Sequence, residues 1–479
     1  MKNFNKYILI LVLLVGFASC DTEEFLSEPT PTDSVSDAAV FTSKSGIEAA
    51  MTGTYSVLRD YFASHDTQGE KSYYLGGDVM GTDVTCPDFN WYIFETRWDV
   101  VDNANGRRVN WAWEMFYSIA NACRTNIVGI TGSDAITEAE KTKYIAELQA
   151  LEAHCYFNLV RYYSHSYAAG TSKPGIPVYT EPLSLAPEGA PRGTIADTYA
   201  HITNLLETAI PNIPTTQNFK FRFNKSVAEG VLARVYLEMG EWAKAASYAS
   251  KAKAGYPLMN AAAYQGGFND LSNPEWMWGQ PVNAEQQYGY ARFYSFIDHS
   301  SAGYNDLYLS VDFANLFTSA TDARKSLVVV NDPTDPYKNF ITTKFKDLAD
   351  QSGDLIGMRS SEMWMIEAEA LAEANPTDLT AAKQALLTVL KARDPNATTS
   401  TATNKDAFIT EVLIERRKEF YGELGLGYFD LKRRNKGLER GGPNQRWPLT
   451  VPAGDRRWAF LLPQAEIDKN LQISESDQN

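Results

Sequence analysis

The sequence predicts a mostly α protein, a scaffold of repeated helix pairs carrying an irregular, loop-rich region. Three observations point there. Apolar residues recur at three- and four-residue spacing between capping residues, one helix pair has the spacing of a known repeat, and aromatic residues concentrate in two segments rich in turn formers. The 479 residues are 44% hydrophobic and 22% charged with mean hydropathy −0.32, which describes a globular chain with ample core. The formal charge is −15 and no basic block offsets it, so a phosphate backbone would be repelled and nucleic acid is not an expected partner.

Taken in order, Lys2 and Lys6 precede an apolar run from Tyr7 to Ala18, the charged and hydrophobic regions of an export signal too short to span a bilayer. The run ends Phe17-Ala18-Ser19-Cys20, which resembles a bacterial lipobox with Phe17 in place of the usual Leu or Val. Residues 1–19 are therefore read as a signal peptide and Cys20 as the lipidation site. Residues 20–37 are read as a flexible tether, Pro/Thr/Ser/Asp-rich from Pro29 to Asp37. The remaining cysteines, Cys86, Cys123 and Cys155, are odd in number and are expected as buried thiols.

Thr137 and Glu140 have capping-box spacing, and Tyr144, Leu148, Leu151, Cys155, Leu159 and Tyr162 behind them form one apolar stripe. A second helix begins near Thr194 and ends before Pro211. Leu232, Ala233, Tyr236, Gly240, Trp242, Ala245, Ala252 and Pro257 follow tetratricopeptide spacing, with Gly240 at the turn and Pro257 closing the second helix. Met363 to Leu371 and Ala382 to Leu390 mark a related pair broken at Pro376. The helix spacing thus gives a mostly α, tetratricopeptide-like helical repeat scaffold with an irregular, loop-rich region. The charged run Glu415 to Glu419 reads as a salt-bridged helix surface.

Eleven of the 45 residues from Tyr73 to Tyr117 are aromatic, and 11 of the 42 from Trp276 to Phe317, about twice the chain-wide 12%. A sugar ring presents a flat apolar C–H face edged with hydroxyls, which stacking on aromatic rings with polar groups at the edge would bind. Trp91 and Tyr92 beside Asn90, and Trp276, Trp278, Tyr288 and Tyr290, are the candidates. Asp83, in a Gly/Thr loop, would grip a hydroxyl or Ca²⁺, although a turn-forming role is the commoner one. Trp111, Trp113, Phe116 and Ile127 share helical phase and are assigned to the core. Replacing Trp91, Trp276 and Trp278 by Ala is expected to abolish sugar binding and leave stability nearly intact. The five histidines show no metal spacing, there is no GxSxG or Walker loop, and Gly425-Leu426-Gly427 is only a fragment of a dinucleotide motif. A binding protein without cofactor is expected, not an enzyme.

In order along the chain, Trp113–Asn121, Ala146–Tyr163, Arg192–Pro214, Asn224–Pro257, Asp322 with Arg324, Lys344, Arg359–Ala374, Glu415–Phe420 and Tyr428–Arg434 resemble the SusD-like (RagB/SusD) outer-membrane nutrient-binding lipoproteins. Leu151-Glu152-Ala153 and Glu423-Leu424-Gly425 depart from the family's usual pairs. The resemblance implies one domain over 38–479, with helical repeats at about 38–260 and 359–434 and aromatic loop-rich parts at about 65–110 and 261–358. It further implies a surface-exposed, lipid-anchored protein of the outer membrane that passes an oligosaccharide to a TonB-dependent SusC-like transporter without catalysis. The alternatives are a helical-repeat adaptor that binds only proteins, or a binder of another nutrient such as peptide.

Overall fold

The computed structural model describes residues 37–441 and 445–479. The signal peptide, Cys20 and nearly all of the tether lie outside the described residues.

Helix α1 (Lys44–Asp60) starts at Ser43, whose hydroxyl accepts from the Gly46 amide. It leads through a short hairpin, β1 (Phe62–Ser64) and β2 (Thr67–Gln68), into α2 (Gly69–Met80) and strand β3 (Val84–Thr85). All twelve residues of α2 are buried, Glu70, Lys71, Ser72 and Asp78 among them, so it has no solvent-facing side to set a polar stripe against an apolar one, which is why residues 65–110 read as loop. Two long helices follow, α3 (Arg107–Thr131) and α4 (Glu138–Tyr163), the latter opened by the expected Thr137/Glu140 capping box. A second such box, Thr194/Asp197, opens α5 (Ile195–Ala209).

The tetratricopeptide-like pair is α6 (Lys225–Met239) and α7 (Trp242–Ala252), turned at Gly240 with φ +74. Helix α7 stops at Ala252, short of Pro257, because the chain turns at Gly255 with φ +86. Helices α8 (Ser360–Ala374), α9 (Thr380–Arg393), α10 (Lys405–Phe420) and α11 (Leu426–Arg433) complete the scaffold. Helix α8 packs directly on α7 although more than a hundred residues separate them, and α3 packs on α1 in the same way. The chain therefore leaves the helical stack twice, at 61–106 and at 253–359, and returns each time to the next position in it.

These two excursions form one body. In the second, β4 (Trp276–Gln280) pairs antiparallel with β8 (Leu355–Arg359), placing Trp276 opposite Arg359 at its neck. Between them lie β5 (Tyr308–Leu309), β6 (Val328–Val330) and β7 (Phe340–Thr342), and the four-stranded sheet β3-β5-β7-β6 draws its first strand from the other excursion.

A buried set of charges fastens the neck to the helices. Arg359 Nη1 donates to Glu275 Oε1 at 2.8 Å and to Glu419 Oε1 at 2.6 Å. Arg393 Nη2 reaches Glu275 at 3.0 Å and Arg324 Nη1 reaches Glu419 Oε2 at 3.2 Å, while Lys344 pairs with Glu423. The Glu415–Glu419 run is thus not a surface. Arg416, Lys418 and Glu419 are buried, Arg416 held by Asp430 and Glu419 by three arginines. Burial opposes ionisation of Glu419, but Arg393, Arg359 and Arg324 outweigh it and hold its carboxyl well below the usual range. Burial pulls the Lys344 ammonium down to about 8.

Candidate functional site

An open aromatic shelf is built where the two excursions meet. The hairpin β1–β2 sends out Phe62, 47% exposed, which stacks on Tyr288 with ring centroids 5.9 Å apart. His65, at the hairpin turn, lies 6.4 Å from Phe62 and 5.0 Å from Trp91, and its Nδ1 hydrogen-bonds the Tyr304 hydroxyl. Tyr304 continues the row to Tyr290 at 5.7 Å, and its other side stacks at 5.3 Å on the buried Phe296. Tyr290 is 58% exposed and forms the outer end.

Local contacts hold these rings still. The Tyr288 hydroxyl donates to the Asp60 carbonyl at 3.3 Å. Trp91 is half-buried, its amide capped by Asn90 Oδ1 at 2.9 Å and its ring covered by the Arg107 guanidinium 5.2 Å from the centroid. Arg107 is held there by the buried Asp66 at 2.6 Å and keeps 38% of its side chain exposed. Trp91 therefore has His65 and Arg107 against it, and the freest faces are those of Phe62 and Tyr290. Beside Arg107 opens a recess of about 310 Å³ with Phe94, Asp99 and Asn103 in its wall.

Of the sequence candidates, Trp91, Asn90, Tyr288 and Tyr290 meet at this shelf, and four do not reach it. Tyr92 is fully buried, with the Arg108 guanidinium 5.0 Å over its ring. Trp278 is fully buried between Phe223 at 5.1 Å and His154 at 5.3 Å, with its Nε1 donating to the Phe221 carbonyl. Trp276, 1% exposed, packs on Phe268. These three rings are core, and the expected triple replacement would remove core packing at Trp276 and Trp278 instead of a binding surface. Asp83 is buried and its carboxylate is taken by Arg417 and the Thr82 hydroxyl, leaving no open oxygen pair for Ca²⁺ or a sugar. Phe62, His65, Arg107 and Tyr304 were not singled out. Tyr304 falls inside the second aromatic-rich segment, but a lone His, a lone Arg and a Phe ahead of the first segment carry no signal. Trp111, Trp113 and Phe116 are core as expected, and the three cysteines are buried free thiols.

Two residues on from Tyr304, the Asp306 carboxyl is buried with Oδ1 unpaired among the described residues, and burial pushes it up to about 7. The folded state thus binds this proton more tightly than the unfolded chain. The stability it contributes is full below an ordinary aspartate value of about 4 and is lost as pH rises toward 7, by up to ~1.4 kcal/mol per pH unit. Thermal melts between pH 5 and 8 are expected to fall with pH less steeply in Asp306→Asn than in wild type; parallel curves would contradict this.

Three comparisons bear on what such a shelf serves. Residues 31–237 match a SusD-like family profile described as "Starch-binding associating with outer membrane". A SusD-like protein of Bacteroides ovatus is 27% identical over 240 residues, half of this chain and 40% of the relative, so the match spans less than half of that protein's length. The fold is similar to a SusD-like carbohydrate-binding protein of Bacteroides vulgatus, at TM-score 0.81 and 24% identity over 91% of this chain and 98% of the other. It is also similar to a laminarin-binding SusD-like protein, at TM-score 0.70 and 18% identity over 92% and 99%. Among the described residues no helix is long and apolar enough to cross a membrane.

Proposed function

We propose that the chain is a SusD-like protein that captures oligosaccharides without catalysis and presents them to an outer-membrane transporter, a reading supported by the profile match over residues 31–237 and by the likeness of its fold to SusD-like structures. The observation that carries the reading is the contiguous aromatic row Tyr288–Phe62–His65–Trp91–Tyr304–Tyr290, in which Phe62 and Tyr290 are exposed and the other four rings are half-buried beside them. Exposed stacking returns only a few kcal/mol after ordering costs, so one site binds in the μM to mM range. That weakness suits capture followed by release. The lipobox at Cys20 supplies the anchor, which keeps the shelf at the cell surface. Starch and laminarin, the glycans named for relatives, are the first ligands to try.

The test is calorimetric titration of the mature protein with neutral glycans selected on a glycan array, together with an assay for new reducing ends. Saturable binding and no new ends are expected. Retention of no glycan on the array would overturn the reading, and new ends would overturn its non-catalytic part. Co-purification with a TonB-dependent transporter from outer membranes tests delivery, and its failure under conditions that preserve the lipid anchor would count against that step.

A further inference from the structure

A second groove lies away from the shelf and has a floor assembled from three elements. It encloses about 700 Å³ between the first half of α1, the first half of α4 and the segment that leads into α6. Of its charged side chains, Glu48, Glu140, Glu147 and Arg222 are ion-paired, and Lys143 is exposed with no ion pair among the described residues. The buried Arg222 donates to Glu48 at 2.6 Å and to Glu147 at 2.7 Å, Lys44 pairs with Glu140 at 2.6 Å, and Gln217 Nε2 donates to Glu147 at 2.9 Å. The Tyr144 hydroxyl also binds Glu48. Over this floor stands Phe219, 55% exposed and stacked at 5.3 Å and 27° on Phe221, whose ring contacts the buried Tyr55.

We propose that this groove is a second carbohydrate site, in which a neutral sugar ring stacks on Phe219 and its hydroxyls meet the Glu48, Gln217 and Asn218 side chains, and that it holds the same polysaccharide chain as the shelf. The proposal rests on the carbohydrate-binding reading above. Neutrality follows from the pairing at the floor, since an anionic ligand would find only the exposed Lys143 free and would otherwise have to displace Glu48 or Glu147 from Arg222, and a cationic one would have to displace Arg222. A sugar suits the walls, where the exposed Phe219 ring offers a flat apolar face beside the acceptors and amides of Glu48, Gln217 and Asn218. Continuity comes from α1. Glu48 and Thr52 line the groove, and the same helix ends at Asp60, just before Phe62 of the shelf. At ~1.5 Å of rise per residue the two sites are roughly 15–20 Å apart, a span several linked sugars bridge.

The experiment titrates the mature full chain with a neutral polysaccharide retained on the array, and with its short oligosaccharides, in wild type, Phe219→Ala and Phe62→Ala/Tyr290→Ala. Two short oligosaccharides per wild-type chain and one per Phe219→Ala chain are expected. Polymer affinity should fall at least about tenfold in Phe219→Ala, because bridging is lost, with an unchanged melting temperature, and Phe219→Trp should keep it. Unaltered stoichiometry and polymer affinity in Phe219→Ala, with wild type binding, would overturn the second site and leave the shelf standing. Loss in Phe219→Ala with none in the shelf variant would overturn the shelf and leave the second site. No neutral glycan retained by wild type would overturn both.

Discussion

Replacing Glu419 by Gln is expected to cost about 3–5 kcal/mol of folding stability, the range for removing one partner of a buried ion pair. Its carboxylate is fully buried and shared among three guanidiniums, with Arg359 and Arg393 on Oε1 and Arg324 on Oε2. Around it, Arg324, Arg359, Arg393 and Lys344 face Asp322, Glu275, Glu419 and Glu423, so the set is electrically balanced. The amide keeps the volume and removes one negative charge, leaving buried positive charge uncompensated. Urea denaturation of Glu419→Gln beside Glu439→Gln, on the exposed face of the C-terminal part, measures the difference. A loss below about 1 kcal/mol would mean that the network is wetter than its geometry implies.

Acid should act on the same residue. Because the folded carboxyl of Glu419 sits well below its unfolded value, its contribution is complete above about pH 4.5 and is lost progressively as pH falls from there toward the much lower folded value. The wild type should therefore lose stability on acidification more steeply than the Gln variant. Structural position explains why so much rests there. Glu275 precedes β4 and Arg359 ends β8, so the charges lock the two strands where the second excursion leaves and re-enters the helical stack.

That lock was partly visible in the sequence. Asp322, Arg324, Lys344, Arg359 and Glu415–Phe420 carried the resemblance to the family, and the structure gathers them into one buried cluster. The Glu415–Glu419 charges read as a salt-bridged helix surface, because sequence spacing shows local partners and conceals partners brought from ninety residues away. Helices with an apolar stripe and a capping box, such as α4 and α5, were legible to within a residue or two. Helix α2 was not, being buried all round. The site divides the same way. The two aromatic-rich segments do meet at the shelf, yet Trp276 and Trp278 lie in a strand covered on both faces, one by Phe268 and the other by Phe223 and His154. Whether a ring in a Gly/Asn/Pro-rich segment faces in or out depends on which distant helix lies beneath it, and that is a tertiary fact.

The double variant Phe62→Ala/Tyr290→Ala is expected to weaken binding of the preferred glycan's short oligosaccharides at the shelf by about 50- to 100-fold, since two rings of this exposure lose on the order of 2–3 kcal/mol of apolar contact at ~25 cal/mol per Å². Stability should change by no more than about 0.5 kcal/mol, because neither ring is in the core. The pairing of the two results is what discriminates. An adaptor that bound only proteins would show no glycan affinity to lose, whereas rings serving only as loop anchors would lower the melting temperature and spare the ligand. Arg107→Ala refines the same measurement. Its guanidinium covers one face of Trp91 and is tied to Asp66, so removing it both uncovers a stacking surface and deletes an edge donor. Affinity is expected to fall further, because the lost donor stood at the edge of the row where the β1–β2 hairpin meets α3; a rise on titration would instead make the uncovered Trp91 face the better platform.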